Sequence, residues 1–239
     1  MPTSTKLMIY MALWKRPEIT EICFAGVNRL RNSGLFPVEA FAVLSEESMI
    51  PLCEQYDIKW VYHANLPLGE KKNFGLFHAY KESWDYLIEI GSDDVLKTEY
   101  LHHFAPYFGK VDLLGINNFC YINSEDLACR QYKGITSYGV GRAISRKAID
   151  KVGTSIWNAR LNKGLDNSSN FFMARHGVLE HRVKSDMPLA IDIKSATNIW
   201  EFNYLYGKEY PLEEALEGLS VEEVTKLKAL CYTQEDCPV

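Results

Sequence analysis

The chain has 239 residues, enough for one large α/β domain, and its 47% hydrophobic and 13% aromatic content is ample for a buried core. A net charge of −5 and a pI near 5.7 exclude a generally basic, nucleic-acid-coating surface but leave room for a local basic groove. Six cysteines with no C-x-x-C pair, mostly inside apolar segments, read as reduced, buried thiols of a cytoplasmic protein.

Residues 7–13 predict the first strand. This apolar run stops at Lys15 and Arg16, too soon for a signal segment or a membrane span, so no membrane partner is expected. Short apolar runs then alternate with amphipathic segments, the pattern of successive βα units. A helix is predicted over 17–32, opened by Pro17 and closed by Gly34, followed by a second strand over 38–44. Ser45 reads as the N-cap of a helix over 46–55, because Glu46 and Glu47 suit a first turn. A third strand over 58–62, a helix over 68–83 and a fourth strand over 84–90 complete a half suited to a parallel sheet with crossover helices.

The fourth strand ends abruptly in Gly91-Ser92-Asp93-Asp94. Ligands of open α/β sheets bind at the carboxyl ends of the strands, and adjacent carboxylates there repel unless a cation lies beside them. Hard oxygen ligands favour Mg²⁺ or Mn²⁺ carrying a phosphate. The competing reading is that Asp93 or Asp94 caps a following helix with Lys97, Thr98 and Glu99 in its first turn.

Beyond residue 98 the pattern changes. A helix over 98–108 precedes two β-rich runs, 111–122 and 127–132, joined by Asn123-Ser124-Glu125-Asp126 as an antiparallel hairpin. The Gly-rich segment 134–141 predicts a mobile loop, 145–152 and 166–176 short helices, 188–193 a strand, and 211–230 a helical pair broken at Gly218-Leu219-Ser220. No repeat or linker marks a domain boundary, and nothing in the chain specifies an oligomeric state.

The ordered set resembles a known family: a first strand followed by Trp14, a second strand ending in acids, a helix carrying Lys72-Asn73-Phe74-Gly75, and a strand ending in Ser92-Asp93-Asp94. It resembles the nucleotide-sugar half of GT-A-fold glycosyltransferases, in particular the family-2-like group, over residues 6–97 well and 134–200 loosely. The resemblance implies an α/β, Rossmann-like and mostly parallel central sheet flanked by helices, with a small antiparallel element in the second half. A single catalytic domain over 1–239 is expected, with a nucleotide-sugar half (6–97), an acceptor half (98–200) and a C-terminal helical tail (211–239).

Carried over residue by residue, the resemblance implies that Trp14 stacks on the nucleobase, Glu46 accepts its ring N–H, and Lys72 with Asn73 faces the nucleotide, while Arg16 is a further phosphate candidate. Trp14 also reads as a core aromatic and Glu46 as a helix-cap acid. Asp94 would ligate a divalent ion, Mn²⁺ or Mg²⁺, and Asp93 with Ser92 would bind the ribose or a metal-bound water. Asp192 or His181 would complete the metal shell, and Lys194 would pair with the diphosphate. The family's more common first acid is replaced here by Gly91. Asp166, opening a helix after Gly164, matches the carboxylate that deprotonates an acceptor hydroxyl in an inverting transfer; an ordinary N-cap competes with that role. Tyr138, Arg142 and Arg146 stand in the loop expected to close over acceptor and donor.

The implied activity is metal-dependent transfer of a sugar from a nucleotide-sugar, foremost a UDP-sugar, to a hydroxyl acceptor. Acceptors range from a glycan or small molecule to a hydroxymethylated DNA base, the last requiring Lys133, Arg142, Arg146, Lys147, Lys151, Arg160 and Lys163 to line one face. A nucleotidyltransferase is a second class, although Ala12-Leu13-Trp14-Lys15-Arg16-Pro17 lacks the Gly-rich loop it would carry. A non-catalytic carbohydrate-binding or scaffold protein on the same fold is a third.

Overall fold

In a computed structural model of the chain the described residues are 5–134, 138–196, 198 and 201–235, the last four by backbone alone. Within the expected loop, Ile135, Thr136 and Ser137 lie outside them. The first half follows a βα rhythm: β1 (Leu7–Leu13), α1 (Pro17–Asn32), β2 (Val38–Leu44), α2 (Ile50–Gln55), β3 (Lys59–Tyr62), α3 (Leu68–Ala79) and β4 (Tyr86–Gly91). Then come β5 (Asp94–Leu96), α4 (Thr98–Phe104), β6 (Leu113–Ile116), β7 (Asn118–Asn123), β8 (Cys129–Lys133), β9 (Arg142–Ser145), α5 (Arg146–Val152) and α6 (Leu165–Arg175). The chain closes with β10 (His181–Val183), β11 (Ala190–Lys194), β12 (Lys208–Glu209), α7 (Leu212–Leu216) and α8 (Val221–Glu235).

The main sheet has the order β10-β6-β9-β4-β1-β2-β3, parallel throughout except for β9, which runs antiparallel to both neighbours. Alternation along β1 supplies both of its faces: Leu7, Ile9 and Met11 join Phe24 of α1 in one core, and Met8 and Tyr10 join Leu76 of α3 and Met173 of α6 in the other. In place of a small antiparallel element there is a second, mixed sheet of five strands, β12-β8-β7-β11-β5, antiparallel except for the parallel pair β7–β11, which meets the main sheet where β4 hands over to β5. Among the described residues no helix is long and apolar enough to cross a membrane.

Local chemistry explains the departures from expectation. The helix expected over 46–55 is a 3₁₀ turn over Glu47–Met49 followed by α2, and the Ser45 side chain caps neither. Pro51, which has no N–H to donate, sits in the first turn of the new helix. The run 111–122 divides at Asn117 into β6 and β7, one in each sheet, so only β7 and β8 form the expected hairpin. Part of the loop expected before residue 145 is strand β9, and a helix no longer follows Asp94 directly, because β5 intervenes.

Candidate active site

The carboxyl ends of β1, β2 and β4 and the start of β5 converge on three carboxylates. The chain leaves β4 at Gly91, turns through Ser92 and Asp93, and enters β5 at Asp94, which lies directly opposite Asp192 in the antiparallel register with β11. Ligand atoms of Asp93, Asp94 and Asp192 lie within 4.8 Å of one another. The turn explains Gly91: its N–H donates to Asp94 Oδ2, and a Cβ there would collide with Asp93 Oδ1 and come within 3.1 Å of Asp94 Oδ2. Any side chain at position 91 would therefore require the Asp93 carboxylate to shift.

Arg16, in a left-handed conformation at the start of α1, reaches across the turn. Its guanidinium contacts Asp93 Oδ2 at 3.0 Å, Ser92 Oγ at 2.8 Å and Asn198 Oδ1 at 2.7 Å. Asn198 donates in turn to Asp93 Oδ2, so one asparagine fixes both partners of that ion pair. Lys194, two residues along β11 and hence on the same face as Asp192, pairs with its Oδ2 at 2.5 Å. Asp192 Oδ1 is buried with no hydrogen-bond partner among the described residues.

These charges perturb one another. Burial, with Asp192 and Asp93 alongside, pushes the Asp94 carboxyl well above the usual range against the opposing Gly91 N–H and Lys194. Burial pushes Asp192 up to about 6, with Lys194 pulling down and Asp93 adding to the rise. An orphaned buried oxygen and a carboxylate pair that resists ionisation fit a hard divalent cation, which would be held by Asp94 and Asp192 with Asp93 alongside. A carboxyl raised in the folded state favours folding while it is protonated. Its contribution is therefore complete below an unfolded-chain value of about 4 and lost as pH rises through about 6. The metal-free protein is expected to lose thermal stability across that window, and Asp192→Asn to flatten the profile in calorimetric unfolding. An unchanged slope in the variant would locate the titration elsewhere.

The segments that follow β1 and β2 carry the two residues expected to meet the base. Trp14 follows β1, half-buried, with Lys15 Nζ over its ring at 4.5 Å, and Glu46 follows β2, half-buried. Here the cation is Lys71: fully buried, it donates to the Leu13 carbonyl at 2.5 Å and to Asn65 Oδ1 at 3.2 Å, and burial pushes its ammonium down to about 7 against the attraction of Glu46.

Lys72 is placed differently from expectation. It pairs with Glu89 of β4 and lies over the Trp157 ring at 4.5 Å. The Asn73 amide is occupied by the Trp157 backbone, donating to its carbonyl at 2.8 Å and accepting from its N–H at 3.1 Å. Nor is the start of α3 open to an anion, because the Leu68 and Gly69 N–H groups donate to Asn162 Oδ1 and the Leu161 carbonyl. Gly75 permits the close packing of α3, since a Cβ there would stand 2.8 Å from Val43.

Arg142 is a second correction. It is 1% exposed on β9, bonded to Glu89 Oε2 through Nε and Nη2, and its Nη1 reaches Asn170 Oδ1 at 2.7 Å and the Asp166 carbonyl at 3.3 Å. Arg146 sits at the opposite end of the sheet, bonded to the Glu82 carbonyl and stacked on Tyr80 and Trp84. Of the basic residues expected to line a nucleic-acid track, Arg142 is buried, whereas Lys133 and Lys147 are exposed and pair with Asp186 and Asp112. His181 does not join the aspartates, because it opens the outermost strand of the main sheet and faces Tyr107, with ring centroids 4.5 Å apart.

Asp166 occupies the first turn of α6 without capping it. The cap position is Gly164, and no side-chain bond closes the helix end. Among the described residues no hydrogen bond engages the Asp166 carboxylate, which lies so close to Gly139 that a Cβ there would stand 2.6 Å from Oδ1. Gly139 leads to Gly141, whose N–H donates to the Glu89 carbonyl, so Asp166 sits at the carboxyl end of β4, the end that carries the aspartates. Tyr138 anchors the same loop through its hydroxyl, 2.9 Å from that of Tyr206. Sequence reasoning missed Glu89, Lys71 and Asn198; an acid inside the apolar run of the fourth strand was the available signal for the first.

The chain matches no protein-family model and no curated protein sequence. It does resemble solved structures. A mannosyltransferase from Pyrobaculum calidifontis, solved with GDP-Man and Mn²⁺, superposes with a TM-score of 0.56 at 11% identity over 100% of this chain and 78% of that one. Glucosyl-3-phosphoglycerate synthase from Mycobacterium tuberculosis gives 0.53 at 14% identity over 96% and 81%. S. aureus TarS gives 0.52 at 12% identity over 80% of this chain and 37% of TarS. The fold is that of the GT-A glycosyltransferases.

Proposed function

We propose that the protein is a metal-dependent glycosyltransferase that moves a sugar from a nucleoside-diphosphate sugar to a hydroxyl acceptor with inversion. The observation that carries this reading is the meeting of Asp93, Asp94 and Asp192 at the strand ends, with one buried carboxylate oxygen left unpaired. A divalent ion held there, Mn²⁺ or Mg²⁺, would supply electrostatic stabilisation of the leaving diphosphate. Asp94 and Asp192 hold it, and Arg16 with Asn198 fixes the Asp93 carboxylate. Trp14 stacks on the base. Glu46 accepts its ring N–H, an acceptor that suits uracil and hence a UDP-sugar. Asp166, free of the helix-cap position and adjacent to Gly139, takes the proton from the attacking hydroxyl. Burial of Arg142 removes one cation from the track a DNA acceptor would need, which leaves a glycan or small molecule as the first choice of acceptor.

Thermal unfolding with a panel of nucleoside diphosphates, each with and without Mn²⁺, tests the reading, because a ligand that prefers the folded state raises its stability by mass action. A rise of the melting temperature that requires both metal and one nucleotide, and is lost in Asp94→Ala, is expected, with uridine diphosphate giving the largest shift. A largest shift with guanosine diphosphate would reassign the base contacts, and no shift with any pair would favour a non-catalytic role for the fold.

A further inference from the structure

We propose that Lys194 is a resident counter-ion of the aspartate cluster, competing with a divalent cation for it and holding metal affinity down; this rests on the metal-binding reading above. Three carboxylates meet with two cations already in contact with them, Arg16 on Asp93 and Lys194 on Asp192. Both members of the Lys194–Asp192 pair are nearly buried, with side chains 6% and 7% exposed, so solvent screens their interaction little. The lysine is also held in place by its backbone: β11 pairs with β7 at Lys194 and Asn123, and the Lys194 carbonyl accepts from the Ser124 N–H at 2.8 Å.

The position follows from strand geometry. Asp192 faces Asp94 directly across an antiparallel pair, an arrangement that is destabilising for like charges, and a residue two along the same strand projects to the same face. Lys194 thus neutralises a contact that the metal-free fold would otherwise oppose. A divalent ion entering between Asp94 and Asp192 must either displace this ammonium from Asp192 or tolerate a positive charge within a few ångströms. Either course weakens metal binding. A merely structural lysine has the opposite signature, because its loss would misplace Asp192 and cost metal affinity.

Mn²⁺ binding to the nucleotide-free protein, read by the loss of the free-ion signal in electron paramagnetic resonance, separates the two. Lys194→Met is expected to bind Mn²⁺ at least about tenfold more tightly than the wild type, since a unit charge at such range in a partly buried site opposes a divalent ion by at least that much. Lys194→Arg, which keeps the charge, should stay within about threefold of the wild type on the same grounds. Thermal unfolding verifies that each variant folds, and Lys194→Gln replaces Lys194→Met if the latter does not. Equal or weaker binding in the neutral variant, with the wild type binding, overturns the counter-ion role and leaves the metal site standing. Failure of both the wild type and the neutral variant to bind removes the metal reading and this proposal with it, whereas binding only by the neutral variant supports both.

Discussion

Asp166→Asn is expected to slow release of nucleoside diphosphate from the sugar donor by about 10²- to 10⁴-fold, the range for loss of a positioned general base, while leaving donor affinity nearly unchanged. The side chain is well placed for the task because the helix end does not need it. Gly164 takes the cap position, and the Asp166 backbone is held separately, its carbonyl accepting from Arg142 Nη1 at 3.3 Å and from Ser169 Oγ at 3.0 Å. Those bonds use the main chain only, so the amide variant should keep the helix, the loop contact at Gly139 and the melting temperature. Rate and affinity therefore separate the base from a structural acid: an unchanged rate would sink the assignment. Gly139→Ala approaches the same carboxylate from the other side, since its new methyl would stand 2.6 Å from Oδ1, and a comparable loss of rate in that variant would link the loop to the base.

How much of this was legible in the sequence depends on which force fixes each feature. The bounds of α1 were readable because Pro17 and the Gly34 turn punctuate it chemically, and β1 and β2 because an apolar run between turn signals has few alternatives. Strands β9, β10 and β12 were not, being four, three and two residues long and held by partners distant in sequence rather than by any pattern of their own. The same division runs through the site. Asp93 and Asp94 stand out because an apolar strand gives way to them abruptly, and Asp192 because it is an acid within another apolar run, but their register is a tertiary fact. Lys72, Arg142 and Arg146 were read as surface cations meeting a substrate. Their real partners are set by which side of a strand each one leaves, and for two of them that side holds Glu89.

Glu89→Leu is expected to destabilise the protein by about 3–5 kcal/mol, the cost of breaking a buried ion network by removing one partner. Glu89 is 1% exposed in the middle of β4, between Lys72 from α3 and Arg142 from β9. Burial alone would raise its carboxyl, but the Arg142 and Lys72 charges outweigh that and hold it below the usual glutamate range. A depressed folded-state value places its stabilising contribution above the unfolded-chain value of about 4.3, and the contribution is lost as pH falls through the lower folded value. Urea unfolding should therefore show a gap between wild type and Glu89→Leu that is full at neutral pH and narrows in acid. Adding Arg142→Met to Glu89→Leu removes one of the stranded cations and should recover part of the loss, because an apolar pair of similar shape avoids the desolvation of two charges. A loss under about 1 kcal/mol in the single variant would mean that water reaches the two cations, and that the network is worth no more than a surface pair. The consequence reaches the site, since Arg142 also holds the Asp166 carbonyl and Asn170. Glu89→Leu should then lower the transfer rate even at temperatures where the variant remains folded, by loosening the residue that carries the base.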